Sequence, residues 1–319
     1  MFQGKYTAVA AGVATACLAT SLAAAPFAYI SNQLENSVSI IDTEKDRVSD
    51  TVVITGKPAG IAVSPDRNKI YISTPEARGF AVLDAKKHKI TAKVSGIEGA
   101  LGIATGSHGR QIYVADWYKN TVSVVDSESL KIIKTIAVGQ SPSGLVVSPD
   151  NRWLYVANRL SNSVSKIDIN KLTVKHTVPV GTHPFGLTID GRGEYIYIAN
   201  VQSDDVTVLE TARMKTIATV KVNMRPYAAT LALNDSRLFV TNQDDDSVSV
   251  IDTATLKEIG LIEVGAKPEG IATHPDDRHV YVANWFDGTV SVIDARTMQV
   301  TDIIKTGEGS RAFGQFIAR

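Results

Sequence analysis

Cysteine is nearly absent. The 319-residue chain has one, Cys17, and it lies in an N-terminal segment unlike everything after it. Beyond that segment there is no thiol, which excludes disulfides, thiolate nucleophiles, zinc–thiolate sites and CxxCH haem attachment. Excess charge of either sign is also missing: Lys plus Arg and Asp plus Glu each number 33. No overall field therefore draws the chain to nucleic acid or an anionic membrane, and such binding would need a local patch. No apolar run comfortably reaches the roughly 20 residues that span a bilayer, and no helical period of useful length appears. What remains, 44% hydrophobic and 21% charged residues, is ordinary globular material with enough apolar side chains for a core.

The segment "MFQGKYTAVAAGVATACLATSLAAAPF" carries one cation, Lys5, then an Ala-rich apolar run, then small residues. This is the layout of a secretory signal peptide, expected over residues 1–25 with cleavage near 23–25. Cleavage after Ala23 is favoured, because cleavage after Ala25 would leave Pro26 at the new N-terminus. Cys17 as a lipidated cysteine is the alternative, but "ATAC" lacks the usual Leu or Val three residues before it. The expected location is periplasmic or secreted.

From there one phrase recurs. Its aromatic stands at Tyr29, Tyr71, Tyr113, Tyr155, Tyr197, Phe239 and Tyr281, always 42 residues apart. The acid that closes it, Asp42, Asp84, Asp126, Asp168, Glu210, Asp252 and Asp294, keeps the same period. So does a Pro-x-Gly ahead of it, at Pro58, Pro142, Pro184, Pro226 (Pro-x-Ala there) and Pro268, with Ala100 and Ser310 as departures. Seven periods of 42 fill residues 26–319, so a single domain is expected. Each unit reads as four short β-branched or alternating runs, such as "GLVVSP", "WLYVAN", "SVSKID" and "HTVPVG", separated by Pro, Asp, Asn and Gly. Four strands in about 40–45 residues, repeated four to eight times, define a β-propeller. The expectation is all-β: a seven-bladed propeller of four-stranded blades. Because the chain enters at a second strand, "FAYISN", and stops after a first strand, "AFGQFIAR", the ring should close by pairing the C-terminal strand with the three N-terminal ones, hiding the open edges.

Tyr-Val-Ala-Asn followed by Ser-Val-Ser-Val-Ile-Asp, with Gly-x-x-Pro-x-Gly and Ser-Pro-Asp between copies, resembles the YVTN-repeat family of exported seven-bladed propellers, which includes YncE-like periplasmic proteins. The resemblance covers residues 26–319. It implies a secreted or periplasmic propeller used for binding, often with no assigned reaction. Members of related families bind single-stranded DNA or serve as subunits of quinone-dependent dehydrogenases.

Periodic residues build blades; aperiodic loop residues are the candidates for function. The Asn series (Asn32, Asn158, Asn200, Asn242, Asn284) and the closing acids should satisfy turns. In a four-stranded meander, the Pro-x-Gly links and the loops between second and third strands share one face, the top. Residues after Pro (Ala59, Leu101, Ser143, Phe185, Tyr227, Glu269, Arg311) and after Asn (Gln33, Pro75, Trp117, Arg159, Val201, Gln243, Trp285) vary from blade to blade. The candidate partner-binding set on this face is Trp117, Tyr118, Arg159, His183, Phe185, Arg225, Tyr227, Trp285, Phe286 and Arg311, with Lys267 interleaved. Aromatics mixed with cations suit a protein or peptide interface, and also single-stranded DNA or a small molecule; the plain alternative is packing at the blade edge. Asp204, Asp205 and Asp244–Asp246 could hold Ca²⁺, but lack EF-hand spacing and read as solvated turns that would repel phosphate.

Nothing in the sequence argues strongly for catalysis. The first strands, "GIAV", "GIAT", "GLVV", "GLTI", "ATLA", "GIAT" and "FGQF", line the channel without charge or histidine. Of the six histidines only His274 and His279 share a hairpin, with no third ligand in sequence reach. No catalytic residue, metal site or cofactor is therefore assigned, and a monomer without a membrane span is expected. The leading reading is an exported binding or scaffold propeller. The alternatives are a lactonase- or lyase-type propeller enzyme, an accessory subunit of a quinone-dependent dehydrogenase, and a single-stranded DNA binder.

Overall fold

The structure, a computed structural model, describes residues 27–318 together with Met1 and Gly4. Apart from Met1 and Gly4, the expected signal segment, with Cys17, lies outside the described residues. The chain forms seven antiparallel sheets around an axis, blade 1 at residues 27–53 and blades 2 to 7 at 61–95, 100–137, 142–179, 184–221, 226–263 and 268–305. Strands in blades 2 to 7 run outward from the axis in sequence order, and among the described residues the only helical elements are two single 3₁₀ turns, Pro75–Ala77 and Arg159–Ser161. No helix among the described residues is long and apolar enough to cross a membrane.

Burial follows radius. Second and third strands such as Leu154–Asn158 and Ser163–Ile167 are buried along their length, because a neighbouring sheet covers each face. The outermost strand, Thr173–Pro179 for example, alternates half-buried with exposed residues, since it meets water. The apolar clusters form between blades: Tyr113, Val122 and Val124 of blade 3 pack with Leu154, Val156 and Ile167 of blade 4. A blade alone would leave such a face wet, so the ring is the stable unit.

Two devices set the spacing. Each phrase Asn is fully buried and its amide crosses to the third strand: Asn158 Nδ2 donates to Ser163 Oγ (3.1 Å) and Ser165 Oγ (2.9 Å), and Asn200, Asn242 and Asn284 do likewise. These are therefore clamps inside the hairpin rather than caps on the next turn. The closing acids do cap, as where Asp168 Oδ1 accepts the Asn170 and Lys171 amides at 3.0 Å each. On the inner strands, glycine permits close approach: a Cβ on Gly102 would stand 1.8 Å from the Ser143 carbonyl oxygen of the next blade.

The ring closes as expected. Tyr29 donates its amide to the Phe316 carbonyl (2.9 Å) and Arg311 to the Ser31 carbonyl (2.8 Å), joining the C-terminal segment to the inner strand of blade 1. One detail was not anticipated: Gly314–Gln315 pairs parallel with Ile61–Val63 of blade 2, which breaks the closing strand into short pieces.

Candidate functional site

Top-face links and loops converge on a bowl of about 360 Å³ over the channel mouth, lined by Gln33, Pro75, Gly99, Leu101, Trp117, Tyr118, Arg159, Phe185, Tyr227 and Arg311. Both variable series meet there. Phe185 and Tyr227, however, are not surface anchors: they are 2% and 4% exposed. Phe185 stacks on Tyr227 with ring centroids 4.0 Å apart and meets Phe313 edge-on at 5.4 Å. These three rings form the floor of the bowl. Beneath them the channel is a cavity of about 210 Å³ lined by inner-strand residues such as Ile103, Leu187 and Ala229, with Thr105, Thr188, Thr230 and Gln315 as its polar side chains.

Arg311 lies under the rim and is mostly buried. Its guanidinium donates to the Tyr227 hydroxyl, covers the Phe313 ring at 5.5 Å, and its Nε stands 2.7 Å from Glu269 Oε2, a short ion pair without hydrogen-bond alignment. Glu269 is 5% exposed, and its other oxygen accepts from Gln243 Nε2 at 2.7 Å. Burial pushes the Glu269 carboxyl above its ordinary range, with Arg311 opposing; burial pulls Arg311 down, but Glu269 and Tyr227 outweigh it and hold the guanidinium charged. Sequence reasoning missed Glu269, Gln243 and Phe313 as site residues. A signal existed for one of them: Glu269 and Arg311 have opposite charges at one repeat position of adjacent copies.

Arg159 differs. It begins the 3₁₀ turn Arg159–Ser161, held where the Arg159 amide donates to Ser141 (3.1 Å) and Asn162 closes the turn in the left-handed region. Its guanidinium lies 5.8 Å from the Trp117 ring and 5.6 Å from the Phe185 ring. Among the described residues no carboxylate is within ion-pair distance of it. Burial pulls Arg159 below its ordinary value; Tyr227 opposes this, while the nearby Arg225 and Arg311 add to it. Arg225 and Lys267 share Asp244 (3.4 and 2.9 Å). His183, beside Arg159, is held down by burial and that cation, and its Nδ1 has no partner. The remaining candidates are on the rim. Tyr118 and Phe286 are 70% and 72% exposed, while half-buried Trp285 donates Nε1 to Gln33 Oε1 at 3.1 Å across the closure.

The acidic loops serve the turns. Asp204 accepts the Arg225 amide, Asp205 accepts from Asn200, Asp245 binds Asn223 and Ser247, and Asp246 accepts the Lys267 amide. The histidine pair departs from the sequence reading: Asp276, in the turn between His274 and His279, supplies the missing third group. Spacing counted on histidines alone overlooks the acid that each Pro-Asp turn carries.

Two family models match the chain: one for the cytochrome D1 heme domain over residues 21–148 and 197–312, and one for a lactonase, 7-bladed beta-propeller, over 103–216. No curated protein matches. Solved structures of similar fold include Kuenenia stuttgartiensis hydrazine synthase, at 20% identity and TM-score 0.73, over 80% of this chain and 88% of that one. A functionally unknown protein from Desulfotomaculum acetoxidans matches at 14% identity and TM-score 0.78 (90% and 99%). The dihydro-heme d1 dehydrogenase NirN in complex with DHE matches at 16% and 0.69 (88% and 64%). At these identities the likeness is one of fold, and the grouping with YncE-like proteins rests on the repeat phrase alone.

The D1 name implies a haem, whose iron is held by His, Cys, Met or Tyr. The bowl's lining offers only Tyr118, on the exposed rim, and Tyr227, whose hydroxyl Arg311 holds, above a floor closed by packed rings, and the nearby His183 is not among the lining residues. These residues do not fit an iron-ligated haem. The unmatched stretch between the two D1 segments carries Arg159 and Phe185 of the bowl, with His183 beside them. With its model matching more than half of the residues, the chain nevertheless belongs to the cytochrome D1 heme domain family.

Proposed function

We propose that the chain is an exported binding propeller whose top face docks a partner protein, with a carboxylate of the partner inserted into the bowl beside Arg159. The observation that carries this reading is the uncompensated, half-buried Arg159 between Trp117 and Phe185. A buried cation without a counter-ion is costly, and an incoming carboxylate would relieve that cost with charge-assisted hydrogen bonds. The rim supports a macromolecular occupant. Leu34, Tyr118, Leu160 and Phe286 occupy one repeat position, two residues after the hairpin Asn or Asp, and are exposed, joined by Met224. Apolar and aromatic rim residues around an Arg-bearing centre match the composition of protein interfaces. The buried position of Phe185 and Tyr227 leaves a single strand only the separated rim rings Tyr118 and Phe286 to stack on. Export is inferred from the leader-like residues 1–25.

A second reading, lactonase-type catalysis, is favoured by the match over 103–216. It would need acidic or basic groups converging in the channel, and the channel lining is uncharged.

The test is capture from an extract of exported proteins, comparing wild type, Arg159→Gln, Tyr118→Ala/Phe286→Ala, and the outer-strand control Ile132→Ala/Ile133→Ala. The expected result is one partner bound by wild type and control and weakened at least about 10-fold by both top-face variants, in line with 1–2 kcal/mol per anchor. Equal recovery by all four baits would overturn the reading.

A further inference from the structure

We infer that the lower turn of blade 7 binds a late first-row divalent cation, with Zn²⁺ as the type, through His274 Nδ1, His279 Nδ1 and one carboxylate oxygen of Asp276. The site is on the face opposite the bowl and does not depend on the partner reading. In blades 2 and 4 the same turn reads Ser-Pro-Asp. There Ser64 and Ser148 donate Oγ to Oδ1 of Asp66 and Asp150, and the same oxygen accepts the amide two residues on. Blade 7 keeps the backbone half of this arrangement, with the Arg278 amide on Asp276 Oδ1 at 2.9 Å. It replaces the hydroxyl donor with His274 and places a second imidazole at 279, where the other copies have Phe27, Lys69, Gln111, Trp153, Tyr195 and Arg237.

The three groups converge. His274 Nδ1 lies 3.1 Å from Asp276 Oδ1, His279 Nδ1 lies 2.6 Å from Oδ2, and all three ligand atoms fall within 4.8 Å of one another. The tautomer of His274 follows from its neighbours. The Asp276 amide points at Nδ1 (3.2 Å), so that nitrogen presents its lone pair, and Nε2–H donates to Thr43 Oγ1 (3.2 Å) across the ring closure. A lone pair 3.1 Å from a carboxylate oxygen sets two acceptors face to face, an arrangement that a bound cation would relieve. Arg278, the cation of the same turn, is committed to Asp294. Thr43 and the Tyr281 ring, 6.1 Å from the His274 ring and anchored by its hydroxyl on Asp46, fix the imidazole as outer partners of metal ligands do. Two imidazoles and one carboxylate suit Zn²⁺, Cu²⁺ or Ni²⁺ and not Ca²⁺ or Mg²⁺, and three protein ligands leave a position open for water or a further donor.

Calorimetric titration of the chelator-treated chain with Zn²⁺ tests this. Wild type is expected to bind one ion, and to be stabilised thermally by Zn²⁺ but not by Ca²⁺. His279→Ala and His274→Ser, the latter restoring the hydroxyl that other blades use, should each lose at least about 100-fold in affinity while keeping the apo melting temperature. Thr43→Val should lose about 10-fold. Zn²⁺ bound equally by wild type and both histidine variants, or no binding by wild type, would overturn the assignment.

Discussion

Glu269 and Arg311 stand 42 residues apart at one position of the repeat, and the ring turns that register into a contact of 2.7 Å. A buried ion pair adds little net stability over apolar residues of the same shape, but removing one partner strands the other charge, at a cost of about 3–5 kcal/mol. Glu269→Gln and Arg311→Met should therefore each lower unfolding free energy by about that amount, while the double variant recovers most of the loss. Urea unfolding of the three chains measures it, and additive losses would show that the pair is uncoupled. The same residues mark how far the sequence could be read. Periodicity assigns Phe185 and Tyr227 to the top face, but a repeat position fixes direction along the axis and not depth. Depth came from the links converging on a narrow mouth, which folds these rings inward as a floor and leaves Tyr118 and Phe286, one loop farther out, in water.

At the scale of strands nearly everything was legible, since an unbroken period of 42 specifies blade count, strand count and closure together. What the letters did not disclose was the parallel contact of Gly314–Gln315 with the inner strand of blade 2, because two-residue pairings leave no pattern. Inner strands carry a sharper requirement than hydrophobicity. The Cβ of an alanine at 102 would fall 1.8 Å from the Ser143 carbonyl oxygen, whereas one at 191 would meet only the movable Asp235 carboxylate at 3.0 Å. Gly102→Ala is thus expected to cost about 1–3 kcal/mol by overpacking, and Gly191→Ala less than half as much. Paired thermal melts of the two variants decide it, and equal melting temperatures would contradict this account of strand spacing.

For the whole molecule, the aromatic of the phrase is buried once per blade, and burial pushes the hydroxyls of Tyr29, Tyr71 and Tyr197 up to about 12. Unfolded tyrosine ionises near 10. A pKa raised by folding means these phenols stabilise the fold fully below about pH 10, and that contribution is lost as pH climbs toward 12. Alkaline titration should show tyrosinate absorbance from these rings rising together with loss of the β-sheet circular dichroism signal, and ionisation at an ordinary pH with the fold intact would refute it. The floor of Phe185, Tyr227 and Phe313 has a different consequence. It separates the bowl from the channel cavity beneath and makes the propeller a stoppered ring rather than an open tube. Whatever enters the bowl meets packed rings before it can reach the channel threonines, so substitutions at Thr188 or Thr230 should leave the bowl's chemistry as it is.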